Sequence, residues 1–129
     1  SLISLNITFD SRLNDNGMPI INAEYIKQLY HTAAAGSQKN LLVFSDEQNV
    51  STDLMGLSAA IVIEGNELHT RTGFLQLNAE TLAHAGIQGV NEVNIPVTHA
   101  KIMGWYDNEF GSYVYCLGQL TQFIDSQLN

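Results

Sequence analysis

The sequence predicts a single α+β domain across residues 1–129: a mostly antiparallel or mixed sheet with helices packed on one face. Three observations carry that expectation. Leu2 to Phe9 alternates apolar and polar residues with a period of two, the pattern of a half-buried strand. Between Asn22 and Gly36, Ile26, Leu29, Tyr30, Ala33 and Ala34 recur at helical spacing. Strand-like runs then follow one another with few helical crossovers, which favours segregated over alternating elements.

In the first strand Ile3, Leu5, Ile7 and Phe9 share one face, and Ser4, Asn6 and Thr8 share the other. Asp10 to Pro19 collects Asp, Ser, Asn, Gly and Pro, the residues of a loop. Asn22 is a good N-cap and Gly36 a good stop, so one amphipathic helix is expected over 23–35. Leu41 to Ser45 reads as a short buried strand, and the polar, acidic stretch from Asp46 to Gly56 as a loop. Ala59 to Glu64 is strand-like, with Gly65-Asn66 as a hairpin turn into a return strand over 67–77. Asn78 starts a short helix over 79–85 that Gly86 ends. Residues 91–98 form a strand interrupted by Pro96, and 100–105 form the last strand. Tyr113, Leu117, Leu120, Ile124 and Leu128 mark a terminal helix from about Glu109 onward. A glycine inside that helix, at Gly111 or Gly118, costs up to about 1 kcal/mol. There is no internal repeat or low-complexity tract.

Bulk properties narrow the function classes. Of the 129 residues 45% are hydrophobic and 14% charged, which supplies a core and argues against disorder. The net charge is −8. Phosphate contacts dominate nucleic-acid affinity, and anionic lipid surfaces repel acidic chains, so neither is an expected partner. The lone cysteine, Cys116, permits no internal disulfide and fits a reducing, cytoplasmic setting. No run of about 18 apolar residues exists, and residues 1–5 lack the pattern of a signal peptide. The chain opens on a strand without an initiator Met, which leads to the expectation of a piece cut from a longer protein.

The most specific segment is Trp105-Tyr106-Asp107-Asn108-Glu109-Phe110-Gly111, preceded by the apolar, lysine-bearing run from Lys101 to Gly104. It resembles the strand-to-helix junction near the C-terminus of glyceraldehyde-3-phosphate dehydrogenases. Weaker echoes precede it in order: the strand Ser4 to Phe9, the helix before Gly36, the strand Leu41 to Ser45, and Val50-Ser51-Thr52-Asp53 with Gly56 at the family's spacing. The resemblance implies the second half of that family's catalytic domain. Residues 66–99 depart from the pattern and read as an insertion with its own short helix. After the signature, Ser112-Tyr113-Val114-Tyr115 replaces the family's more polar run.

The resemblance implies hydride transfer from a thiohemiacetal to NAD or NADP in an intact parent. That chemistry needs a cysteine nucleophile of lowered pKa beside a histidine base. The family's Ser-x-x-Cys-Thr-Thr-Asn motif is absent from this sequence, and so is a Gly-x-Gly-x-x-Gly turn after a strand. No catalytic residue is therefore assigned within the chain. Cys116 reads as a small packed residue of the terminal helix. By the resemblance, Asn108 would hydrogen-bond the nicotinamide carboxamide; an amide can both donate to and accept from that group. The alternative for Asn108 is a helix cap. Tyr106 would lie near the active site or serve packing, and Trp105 and Phe110 read as core. His69, His84 and His99 stand fifteen residues apart, which matches no metal motif, and Glu80 with His84 supplies only two ligands. His31 is expected on the exposed side of its helix, and Asp46, Glu47 and Asp53 in a solvated loop.

Two readings follow. In one, the chain is the C-terminal part of a dehydrogenase, without activity or cofactor on its own, whose partners are the rest of the parent or further copies through the sheet face. In the other, it is a stand-alone module that kept the sheet for association.

Overall fold

A computed structural model describes residues 1–128. In chain order the elements are β1 (Leu2–Asp10), α1 (Ala23–Ala35), β2 (Leu42–Ser45), β3 (Ile61–Glu64), β4 (His69–Asn78), α2 (Ala79–His84), β5 (Glu92–Trp105) and α3 (Ser112–Leu128). The class is α+β, with one mixed sheet of five strands.

β5 is the spine of that sheet. Along one edge it pairs antiparallel with all of β1, from Leu2 opposite Trp105 to Asp10 opposite Val97. Its other edge pairs with β4 from Glu92 to Lys101, and with β3 at Gly104 and Trp105. β2 completes the sheet, parallel to β3.

Two sequence expectations change here. Gly65-Asn66 is no hairpin turn: β3 and β4 run in the same direction along one edge of β5. Between Ile63, opposite Gly104, and His69, opposite Lys101, the chain advances six residues while β5 advances three. The extra residues form a small loop in which Leu68 N–H donates to Gly65 C=O at 3.3 Å. Pro96 also fails to interrupt its strand. A strand residue aims its N–H and C=O at the same edge. The Pro96 carbonyl accepts from Ser11 N–H at 2.8 Å, just past the end of β1, so the missing N–H falls where the β1 ladder has already ended.

The helix α1 forms where its local signals place it. Asn22 Oδ1 accepts from Tyr25 N–H at 3.0 Å, and Gly36 ends it. Its Ile26 joins Ile63, Leu68, Ala100 and Ile102 in the core, with Tyr30 and Phe44 stacked beside them at 6.1 Å. α2 is capped by Asn78, whose Oδ1 accepts from Thr81 N–H at 3.0 Å.

Burial is uneven. β1 pairs as its alternation predicts, yet Ile3, Leu5 and Ile7 remain exposed. α1 packs toward β2 and leaves an apolar groove of about 480 Å³ between itself and β1. α3 is more open still: Leu117, Leu120, Phe123 and Ile124 all face outward, Leu117 with 64% exposure. Cys116 lies on the same helix and is exposed, not packed as its sequence suggested. Residues 66–99 contribute β4, α2 and half of β5, a hairpin fused to the sheet. No described helix is long and apolar enough to cross a membrane.

Candidate functional site

At the end of β5 the chain leaves the sheet at Trp105 and turns through Tyr106 to Gly111 before α3 begins at Ser112. Asp107 builds this turn. Its Oδ1 accepts from Glu109 N–H at 3.0 Å and Phe110 N–H at 3.3 Å, an Asx-type wrap around Asn108. Its Oδ2 reaches across to Gly56 N–H at 2.9 Å. These three backbone donors, Gly56 foremost, hold the Asp107 carboxyl below the usual carboxylate range.

Gly111 is required by contact. A Cβ there would lie 2.7 Å from Asp107 Cβ and 3.0 Å from the Leu57 carbonyl oxygen. The turn and the Leu54–Leu57 loop approach too closely for any side chain at this position.

The loop opposite is equally specific. Asp53 Oδ2 accepts from Val50 N–H at 3.1 Å, and Asp53 N–H donates back to Val50 C=O at 3.0 Å, closing a 3₁₀ turn over Ser51–Leu54. Asp53, expected as a solvated loop acid, thus has a structural task. Fold geometry therefore brings the Val50–Asp53 segment, a weaker echo in the sequence, beside the Trp105–Gly111 signature. Between them lies a cleft of about 280 Å³, walled by Leu54 and Met55 on one side and Tyr106 to Phe110 on the other.

Asn108 is exposed on this cleft, and among the described residues its side chain makes no hydrogen bond. It does not cap α3, which starts four positions later. Tyr106 is half-buried and lines the cleft, while its backbone extends the β1–β5 ladder to Ser1, with N–H···O at 3.0 Å. Phe110, read as core, is 74% exposed at the rim.

Behind the cleft sits a residue the sequence reading passed over. Glu64 is only 3% exposed, and its Oε1 accepts from Trp105 Nε1–H at 2.6 Å and from Asn49 Nδ2–H at 3.0 Å. Its Oε2 has no hydrogen-bond partner among the described residues. A carboxylate closing the apolar run Ile61-Val62-Ile63 was the available signal. Glu64 joins β3, β5 and the loop at Asn49, and so fixes the indole from which the signature departs.

The histidines stay apart. His31 is half-exposed on α1, 3.3 Å from Asp46 and 4.4 Å between ring centroids from Phe44. His99 meets Thr8 Oγ1 at 3.1 Å, and His84 meets the Glu80 carbonyl at 2.8 Å. Among the described residues no three His, Cys, Asp or Glu side chains converge as a metal site would require.

The cleft offers an exposed amide at Asn108, apolar walls at Leu54 and Met55, and carboxylates at Asp107 and Glu109. Among the described residues no Lys or Arg lines it. Those residues can seat a flat ring bearing a carboxamide, and they offer no cationic side chain to the phosphates of a dinucleotide.

Comparison with characterised proteins gives a consistent picture. No family model matches the chain. It is similar to glyceraldehyde-3-phosphate dehydrogenase 2 of Streptomyces arenae, 32% identical over 83% of this chain. It is 33% identical over 68% of its length to glyceraldehyde-3-phosphate dehydrogenase 1 of Streptomyces avermitilis. A fungal relative, glyceraldehyde-3-phosphate dehydrogenase 2 of Agaricus bisporus, is 29% identical over 78% of the chain. The matches span only 24%, 19% and 22% of those relatives' own lengths.

Proposed function

Starting from a chain that is kin to the glyceraldehyde-3-phosphate dehydrogenases, we propose that it is the C-terminal part of such an oxidoreductase and supplies one wall of its nicotinamide site. The observation that carries this is the cleft between the Val50–Gly56 loop and the Trp105–Gly111 turn, with an uncommitted Asn108 amide on its face. In the parent, NAD or NADP would accept the hydride from the aldehyde-derived substrate. Asn108 would donate to and accept from the carboxamide and so fix the ring's orientation. Tyr106, Leu54 and Met55 would exclude water beside it. The nucleophile, its histidine base and the phosphate-binding turn would come from sequence outside this chain.

The exposed apolar residues of α3 and β1 support a larger assembly. An edge strand of nine residues without lysine or proline is a surface that proteins ordinarily cover. The rest of the parent, or further copies of the chain meeting through the sheet face, would cover these surfaces, in the cytoplasm. Relative to that family, residues 66–99 would be an insertion.

A second reading, a stand-alone association module, draws on the same open surfaces. Two measurements separate the two readings. The purified 129-residue chain should show no NAD- or NADP-dependent aldehyde oxidation, and turnover would overturn the division of labour proposed here. A reading frame that supplies a nucleotide-binding turn and a Cys-Thr-Thr-Asn segment upstream supports the dehydrogenase. In that parent, Asn108→Ala should weaken cofactor binding about two- to tenfold, the worth of one amide hydrogen bond. Unchanged affinity would remove Asn108 from the site.

A further inference from the structure

Asn108 has no hydrogen bond of its own among the described residues, so its direction must be set by the backbone on either side. That backbone is held by its neighbour. Asp107 Oδ1 accepts from the two amides that follow Asn108, at 3.0 and 3.3 Å, and Oδ2 accepts from Gly56 at 2.9 Å on the opposite wall. One carboxylate thus clamps the turn and ties it to the loop that carries Leu54 and Met55.

We propose that Asp107 is the positioning residue of this site: it sets where Asn108 stands and how wide the cleft opens. The role in cofactor placement rests on the reading of Asn108 given above, whereas the tether itself does not. Gly111 supports it independently, because a side chain there would collide with Asp107 Cβ and the Leu57 carbonyl. Two segments fifty-one residues apart in sequence meet through this carboxylate. Bonds from backbone amides to an ionised acceptor are stronger than neutral ones, and the lowered pKa of Asp107 agrees with an ionised acceptor. Among the described residues the other charged side chain on this wall is Glu109.

Amide hydrogen exchange in the 129-residue chain, read by NMR, tests the tether. An asparagine at this position has a single acceptor oxygen and can serve the turn or the loop, not both. In Asp107→Asn, protection should fall about tenfold on one side only, at Gly56 or at Glu109 and Phe110. In Asp107→Ala it should fall on both, and the Asn108 side-chain amide should lose order in relaxation measurements. In the unsubstituted 129-residue chain the amide shifts of Gly56, Glu109 and Phe110 should titrate together at one acid midpoint, which Asp107→Asn abolishes. Core amides such as Ala100 and Ile102 should keep their protection in Asp107→Asn, which makes that variant decisive even where alanine unfolds the chain. Both sides still protected in Asp107→Asn, or no shared midpoint, would overturn the positioning role. Unchanged cofactor affinity on Asn108→Ala in the parent would overturn the functional reading alone.

Discussion

Glu64→Ala should be the most damaging single change near the site, and Glu64→Gln nearly silent. The carboxylate is buried and serves three donors: Trp105 Nε1–H at 2.6 Å, Asn49 Nδ2–H at 3.0 Å and Asn49 N–H at 3.3 Å. Bonds to a charged acceptor are each worth about 1.5–3 kcal/mol, and a donor left unpaired costs about 1–3 kcal/mol. The three share two half-buried residues, so the losses do not add in full. Against them stands a gain, because a buried carboxylate with one unpartnered oxygen is itself expensive. The net expectation for alanine is a loss of about 2–3 kcal/mol. Glutamine keeps an acceptor oxygen for Trp105 and sheds the charge, and should stay within about 1 kcal/mol of the original. The chain has one tryptophan, so its emission in a urea titration reports this contact directly. The midpoint should fall in Glu64→Ala at unchanged slope, and the emission of the folded state should shift as the indole loses its partner. A loss for alanine under about 0.5 kcal/mol would refute the reasoning. So would a glutamine variant as unstable as alanine, since charge and not acceptor geometry would then be holding the indole.

Three other outcomes follow from the packing. Gly65→Ala places a Cβ 2.7 Å from the Phe44 ring and 2.9 Å from the Ser45 carbonyl oxygen, and should cost about 1–3 kcal/mol in the same titration. Asn22→Ala removes the cap bond to Tyr25 and should cost about 1 kcal/mol, with loss of helical circular dichroism ahead of global unfolding. Asp107 has a lowered folded-state pKa, so its contribution is full at neutral pH, begins to fade once the pH drops below the ordinary aspartate value of 3.8, and is gone beneath its own lower pKa. An acid titration of Gly56 protection should follow that course in the original chain and be flat in Asp107→Ala.

Much of the architecture was written locally. Asn22 and Gly36 delimit α1 because caps and stops act within one turn of chain. The alternation in Leu2–Phe9 gave β1, and Asn78 gave the start of α2. The signature from Trp105 to Gly111 named the kinship by residue identity alone. The elements misread were those whose outcome depends on a neighbour. Pro96 looks like a strand breaker until β1 is seen to end opposite it. Gly65-Asn66 looks like a reversal until β3 and β4 are both laid along β5. Phe110 and Cys116 look like core because apolarity predicts burial, but burial needs a covering surface, and α3 has little of one here.

The site divides in the same way. The sequence by itself determined which residue types are present: an amide at Asn108, no nucleophile motif, no phosphate-binding turn. Only the tertiary structure decided that Gly56 and Asp107 touch, that Glu64 holds Trp105, and that a cleft opens where those contacts end. Hydrogen bonds between segments 51 and 41 residues apart leave no periodicity to read. They are set by where β5 ends relative to β3, and so by the register of the sheet.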